Sequence, residues 1–553
     1  MTTRLSGRSA FLALLQDEGI THLFGNPGTT ELPIMHALAE HPSLTYVMAM
    51  QESVVVSMAD GFSRASGQLV AANVHVAPGL GNAMGALFGA KFTRTPMILT
   101  AGQQEQGHGL REPLLYDSLV RMAEPLVKWA IEVTRLEDLP RIVRRAAKIA
   151  RTPPMGPVFI SLPGDILNAE AELDLGARTD IDSAVRPNDN ALMRLAQRIL
   201  AARRPVMIVG DELVSSNALA EAAEFAQTIG CPVLQQTIPF GAHFPSEHPC
   251  FIGALSRSQP KVRQVLSAYD LLIAFGTDPL RMSVDSPVDP LPDGMPIVQV
   301  GLIDWDIGKN YPVEIAIRAD VRETFSALTS LLQEAGGATL AETAARRIEA
   351  IATDNWSARR RALVQTIETK SAQLPIDPDW LLLKTVEALP QNAIFVEEAL
   401  TAAPLVPALL PYRDRFGFHG LASGGIGWGL PGAVGASLAN PGRPVVCFTG
   451  DGSAMYTIQA LWTAAHHRLP VNVVLINNGG YRIIKQRLLS FHGSREFVGM
   501  DFTDPSVDFA GLARSLGLEA IQVSDPATLA ATLQSAFARP GTKLIEVMVE
   551  GSV

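Results

Sequence analysis

The chain has 553 residues, 47% hydrophobic and 18% charged, which supplies several buried cores and excludes a disordered or fibrous chain. Its formal net charge of −10 argues against nucleic acid or an anionic membrane as the main partner. Cys231, Cys250 and Cys447 form no CxxC pair, no signal pattern opens Met1–Arg8, and no apolar run is long enough to span a bilayer, so a cytoplasmic protein with reduced thiols is expected.

Strands and helices alternate through the first block, residues 1–180. A helix is expected over Ser6–Glu18, a strand over His22–Phe24, and a turn at Asn26-Pro27-Gly28-Thr29-Thr30 whose Thr30 caps a helix starting at Glu31. Apolar runs at Leu44–Met50, Val70–Val76, Met97–Thr100 and Val158–Ser161 read as buried strands. Glu52 follows the second strand directly. A carboxylate there either points into the crevice at the strand ends, where open α/β sheets bind ligands, or starts a helix in the favourable field of its dipole. His75 sits at a strand end ahead of Pro78-Gly79.

The central block, 190–335, has strand-like runs at Pro205–Gly210, Pro232–Leu234, Leu271–Gly276 and Pro296–Gly301, with helical stretches between them. Residues 336–375, rich in Ala, Arg, Glu and Gln, read as a helical linker with a solvated face.

The third block, 376–553, carries the sharpest motif. After a strand at Ala393–Glu398 and a glycine-rich segment, Gly424–Gly435, an apolar strand, Pro444–Phe448, runs to Gly450-Asp451-Gly452. A helix from Ser453 and a strand over Val471–Ile476 follow, ending at Asn477-Asn478 and Gly479-Gly480; Thr542–Val547 is the last strand. This unit places a carboxylate, an amide oxygen and a backbone carbonyl at two strand ends, a donor set suited to Mg²⁺, beside a helix N-terminus suited to a diphosphate. The glycine runs Gly79–Gly85 and Gly425–Gly429 are not G-x-G-x-x-G fingerprints and lack the acidic residue expected downstream. The expected fold is α/β, with three doubly wound parallel-sheet domains.

Gly450-Asp451-Gly452 followed by Asn477-Asn478 resembles the diphosphate anchor of thiamine-diphosphate enzymes. Along nearly its whole length the chain resembles the thiamine-diphosphate decarboxylase and carboligase superfamily, nearest to its benzoylformate decarboxylase branch. The resemblance rests on Phe24–Gly28, Gln51-Glu52, Ala59–Gly61, Gly81–Leu87, Thr100–Gln104, Pro125–Trp129, Gly450–Ser453 and Ala460–Ala465. It implies pyrimidine-binding, central Rossmann-like and diphosphate-binding domains, thiamine diphosphate with Mg²⁺ (or Ca²⁺), a homodimer as the smallest active unit and a homotetramer as the expected assembly. Glu52 is then the acid on the pyrimidine ring. Asp451, Asn478 and the Gly480 carbonyl hold the metal. Thr401, Gly424, Ile426, Gly450, Gly452, Ser453 and Tyr481 touch the cofactor, with Ile426 propping its bent form. Asn26, Gly28, Thr29, His75, Ile483, Ile484 and Arg487 line the substrate pocket, with His75 and Thr29 active in catalysis.

Two departures from the branch stand out. Its second catalytic histidine is matched by Ser283, and Arg487 falls where an aromatic wall is expected. Arg487 either faces outward from its helix or receives an anionic substrate tail. The implied activity is non-oxidative decarboxylation of a 2-oxo acid with an aromatic or apolar side chain, giving an aldehyde and CO₂, with carboligation as a side reaction. The alternatives are an acetolactate-synthase-like carboligase, a 2-hydroxyacyl-CoA lyase, or a non-catalytic homologue. FAD or ADP in the central domain has no diagnostic motif.

Overall fold

Three six-stranded sheets, each parallel throughout, carry the chain, and the computed structural model describes residues 2–553. The first sheet runs Thr45–Met48, His22–Gly25, Val70–Val74, Met97–Gln103, Val158–Pro163, Ala130–Glu132. The third runs Phe418–Gly420, Ile394–Glu398, Val445–Gly450, Val471–Asn477, Lys543–Met548, Glu519–Val523. Ranked along the chain, both place their strands second, first, third, fourth, sixth, fifth. The central sheet runs Phe251–Ala254, Val233–Gln235, Pro205–Val209, Leu271–Phe275, Ile297–Gly301, Ile315–Arg318, the third-second-first-fourth-fifth-sixth order of dinucleotide-binding folds. Inner strands such as Val70–Val74 and Leu271–Phe275 are buried at every residue, as expected where helices cover both faces. A small antiparallel pair, Thr3–Ser6 with Glu170–Leu173, ties the start of the chain down.

Several boundaries differ from the sequence reading. The strand expected over Val70–Val76 stops at Val74, and His75 becomes the N-cap of a helix, Val76–Phe92. Val76 takes φ 42°, which turns the chain within one residue, and the glycine run Gly79–Gly85 lies inside that helix. Thr30 does not cap a helix at Glu31. Thr29–Glu31 forms a 3₁₀ turn before the helix Leu32–Ala37, because the Glu31 carboxylate takes the Gly28 N–H at 3.0 Å. The helix expected from Ser453 starts at Asp451 and breaks between Thr457 and Ala460. One helix, Val321–Ile351, runs through residues 335 and 336 and bends at Gly337, whose φ is 48°.

The first and third sheets share one hydrophobic core. Helix Glu52–Ser66 crosses helix Gly429–Ala439 at glycines: a Cβ on Gly61 would stand 2.3 Å from the Gly432 carbonyl oxygen, and one on Gly435 2.0 Å from that of Met58. The Trp428 indole N–H donates to Asp60 at 2.7 Å. Arg64 stacks on the Trp428 ring and donates to the carbonyls of Phe240 (2.8 Å) and Gly420 (3.0 Å), so one guanidinium stitches all three units together. All three cysteines are buried thiols, and among the described residues no helix is long and apolar enough to cross a membrane.

Candidate active site

The turn after the strand Val445–Gly450 is built around a buried carboxylate. Asp451 opens its helix at the first position and accepts from the N–H groups of Gly452 (2.7 Å), Asn478 (3.1 Å) and Gly480 (3.2 Å). Burial raises its pKa, and those N–H groups oppose the rise. The side-chain oxygen of Asn478 is buried and has no hydrogen-bond partner. An orphaned acceptor next to a carboxylate and a backbone carbonyl fits a hard cation, which would supply the missing partner. The cleft is lined by residues between Pro378 and Val549, among them Thr401, Ile426, Gly450, Gly452, Ser453 and Tyr481. A Cβ on Gly452 would stand 2.7 Å from the Tyr481 ring, whereas one on Gly450 would meet nothing, leaving room at the helix N-terminus for an anion. The donor set and this space fit a metal-bound diphosphate.

Glu52 sits at the carboxyl edge of the first sheet. It is 8% exposed, with one oxygen accepting from the Asn26 amide at 3.1 Å and the other from Asn82 at 3.0 Å. A Cβ on Gly79 would lie 3.3 Å from this side chain. Beside it, the His75 Nδ1 is 2.7 Å from Glu31 and 3.0 Å from the Thr30 hydroxyl. The Glu31 pairing makes Nδ1 the protonated nitrogen and frees Nε2 for a proton transfer. The ring lies so close to Gly28 that a Cβ there would stand 2.2 Å from it.

The two groups do not meet within one chain. Among the described residues, no hydrogen bond or ion pair joins Asn26, Gly28, Glu52 or His75 to residues 399–483, and the Asp451 cleft has no wall from the first sheet. Exposed apolar side chains flank both: Met50 at one, Met455, Tyr456 and Ile484 at the other. Thr29 points to solvent, because the 3₁₀ turn presents Thr30 to His75 instead. Ser283 is exposed on a loop next to Val284, Asp285 and Ser286, which line the adjoining cavity. Gly424 is exposed at φ 79° and Ile484 is exposed; neither lines the cleft, whereas Ile483 does. Arg487 stands at the rim of the adjoining cavity.

Sequence reasoning passed over several residues. Glu31 has no motif around it beyond its spacing from Gly28. Asn82 lay in the dismissed glycine run. Glu398 closes a strand as Glu52 follows one, and it is buried; its carboxyl is pushed up to about 7 by desolvation, while the N–H groups of Gly427 (2.5 Å), Trp428 (3.3 Å) and Gly429 (2.5 Å) pull it back. Those bonds pin the loop that presents Ile426. In the central sheet, Glu212 lies at the strand ends and lines a cavity of about 300 Å³ there. Its carboxyl accepts from the Leu302 N–H at 2.7 Å; a Cβ on Gly301 would lie 2.8 Å from a carboxyl oxygen, and one on Gly276 2.6 Å from the Glu212 Cβ. Desolvation pushes the carboxyl up to about 7.

Models of the thiamine pyrophosphate enzymes match three stretches: the N-terminal TPP binding domain over residues 5–114, the central domain over 192–328, and the C-terminal TPP binding domain over 409–547. Benzoylformate decarboxylase of Pseudomonas aeruginosa is 33% identical over 543 residues, covering 98% of each chain. The acetolactate synthase isozyme 1 large subunit of Escherichia coli is 27% identical, over 99% of this chain and 94% of its own length. Among solved structures, the thiamine diphosphate-dependent 4-hydroxybenzoylformate decarboxylase of Rhodococcus jostii RHA1 superposes with a TM-score of 0.88 at 29% identity, covering 99% of this chain and 100% of that one.

Proposed function

The chain belongs to the thiamine pyrophosphate enzymes of the decarboxylase, acetolactate synthase and carboligase type, and from that premise we propose that it decarboxylates a 2-oxo acid to an aldehyde and CO₂. The observation that carries this reading is the buried Asp451 cradle with the orphaned Asn478 oxygen, facing a cleft that Ile426 and Thr401 line. The 33% identity to a benzoylformate decarboxylase across 98% of the chain favours an aromatic or apolar side chain on the oxo acid.

Asp451, the Asn478 amide oxygen and the Gly480 carbonyl would hold Mg²⁺, with Gly452 and Ser453 at the helix start receiving the diphosphate. Thiamine diphosphate, when bound, supplies the electron sink that makes loss of CO₂ possible. Glu52, oriented by Asn26 and Asn82, holds a proton for the pyrimidine ring. His75, fixed at Nδ1 by Glu31, gives or takes a proton at Nε2 in the product-forming half of the cycle. Gly28 keeps the space against its ring free.

A carboligase is the second reading, favoured by Ser283. With a serine exposed on a loop where the branch has a second histidine, protonation of the product loses one donor, and attack on a second carbonyl competes better. A homodimer as the smallest active unit is supported by the separation of Glu52 from Asp451 within one chain and by the exposed apolar side chains beside both; a tetramer would double it. An active monomer in sedimentation at assay concentration would refute this.

The test is an assay with thiamine diphosphate and Mg²⁺ across benzoylformate, pyruvate and branched-chain 2-oxo acids, following CO₂, aldehyde and hydroxy ketone together. Aldehyde as main product from benzoylformate is expected. Hydroxy ketone as main product selects the carboligase, and no turnover of any of them rejects both.

A further inference from the structure

A cavity of about 990 Å³ adjoins the cofactor cleft, between Ala254–Pro260 and Val284–Ser286 of the central unit and residues 397–407 and 483–490 of the third. It communicates with the cleft through Leu400, Thr401 and Ile483, which line both. Four titratable side chains face it: Arg257, Arg487, Asp285 and Glu397. Among the described residues, neither arginine has a carboxylate within 4.0 Å.

Glu397 partly offsets the charge of Arg257 without forming an ion pair with it. Glu397 is buried, spends one oxygen on the Ala399 N–H at 2.6 Å, and is pushed up to about 7 by desolvation. Asp285 is exposed on its loop. Arg257 is exposed to solvent, yet desolvation depresses its pKa; Glu397 pulls it back up, and Arg487 adds a smaller like-charge repulsion. Neither guanidinium is in an ion pair, although Arg487 lies over the Phe491 ring at 5.7 Å, and an anion held by both would offset their mutual repulsion. Guanidinium geometry matches a carboxylate in a two-point contact. Apolar side chains, including Leu400, Pro404 and Phe418, lie in the same walls.

We propose that Arg257 and Arg487 form a subsite for a second, distal carboxylate, so that the substrate is a 2-oxo acid whose aromatic or apolar spacer ends in an acid. This rests on the decarboxylase reading, and the experiment separates the two. The holoenzyme is assayed with 4-carboxybenzoylformate and 4-methylbenzoylformate, a pair alike in shape that differs in the distal charge. The ratio of kcat/KM, carboxy over methyl, is expected to exceed about tenfold in the natural protein. It should fall by about thirtyfold, mainly through KM, in Arg257→Leu and in Arg487→Leu, with partial recovery in Arg487→Lys. A ratio near one that none of these substitutions changes overturns the subsite and leaves the decarboxylase standing. If neither oxo acid is turned over, the decarboxylase reading fails, and the subsite is then judged by calorimetric titration of the holoenzyme with the inert dianion benzene-1,4-dicarboxylate against 4-methylbenzoate. Tighter dianion binding by about tenfold, lost in Arg257→Leu, supports it; equal affinity overturns it.

Discussion

The first and third sheets have the same strand order and the same strand-turn-helix exit at the edge that carries function, yet they finish that exit differently. In the third, Asp451 begins the helix and is surrounded by backbone N–H groups, which gives a rigid acceptor suited to the proposed cation and diphosphate. In the first, Glu52 and His75 are each positioned by side chains, Asn26 and Asn82 for one, Glu31 and Thr30 for the other. Backbone donors suit a static anchor. Side-chain partners suit groups that must exchange protons, because they hold direction without filling every lone pair. In the proposed function, one topology would serve binding at one edge and proton transfer at the other.

The sharpest way to break this contrast is to remove each carboxylate. Asp451→Ala should abolish Mg²⁺-dependent retention of thiamine diphosphate through desalting and lower kcat/KM by about a thousandfold or more; tight retention would show that the anchor is elsewhere. Glu52→Gln should keep the cofactor yet slow exchange of its C2 proton by about 10²–10⁴-fold, as followed by NMR in D₂O. Unchanged exchange would move the acid to another residue.

The helix crossing that joins the two sheets tests whether their packing is as tight as their chemistry is distinct. Gly435→Ala puts a methyl 2.0 Å from the Met58 carbonyl oxygen and should cost about 3 kcal/mol, read as a lower midpoint in urea. Gly442→Ala, at a glycine with φ 87° and open space around it, should cost less, from backbone strain alone.

A pH-dependent effect concerns Glu397. Its carboxyl is raised by burial to about 7, so the folded chain binds more protons than the unfolded one between about pH 4.5 and 7, and stability falls as pH rises through that window. Glu397→Gln keeps an acceptor for the Ala399 N–H and should flatten that fall, measured as denaturant midpoints at several pH values.

Much of this was legible before the structure. Inner strands announce themselves as continuous apolar runs, and the spacing from Gly450 to Asn478 carries both ends of the anchor. The edge strands Ala130–Glu132, Ile315–Arg318 and Glu519–Val523 were passed over because they are short and partly exposed, which weakens the apolar signal. His75 was found, but its carboxylate partner was not: Glu31 lies far from it in the chain, and only the fold brings the two to 2.7 Å. Thr29, expected at the substrate carboxylate, is exposed in the single chain, and the 3₁₀ turn sets the Thr30 hydroxyl 3.0 Å from His75 instead, which a motif cannot foresee. Arg257 carried no motif, and its meaning came only from the cavity it shares with Arg487.

The central claim is that a complete site takes Glu52 from one chain and Asp451 from another. Subunits of Glu52→Gln and Asp451→Ala, each inactive alone, can be co-expressed in equal amounts and assayed for decarboxylation. Mixed dimers carry one intact site, so recovery to about a quarter of natural activity is expected. Activity that stays at the level of the separate variants, in a mixture shown to contain mixed dimers, would contradict it.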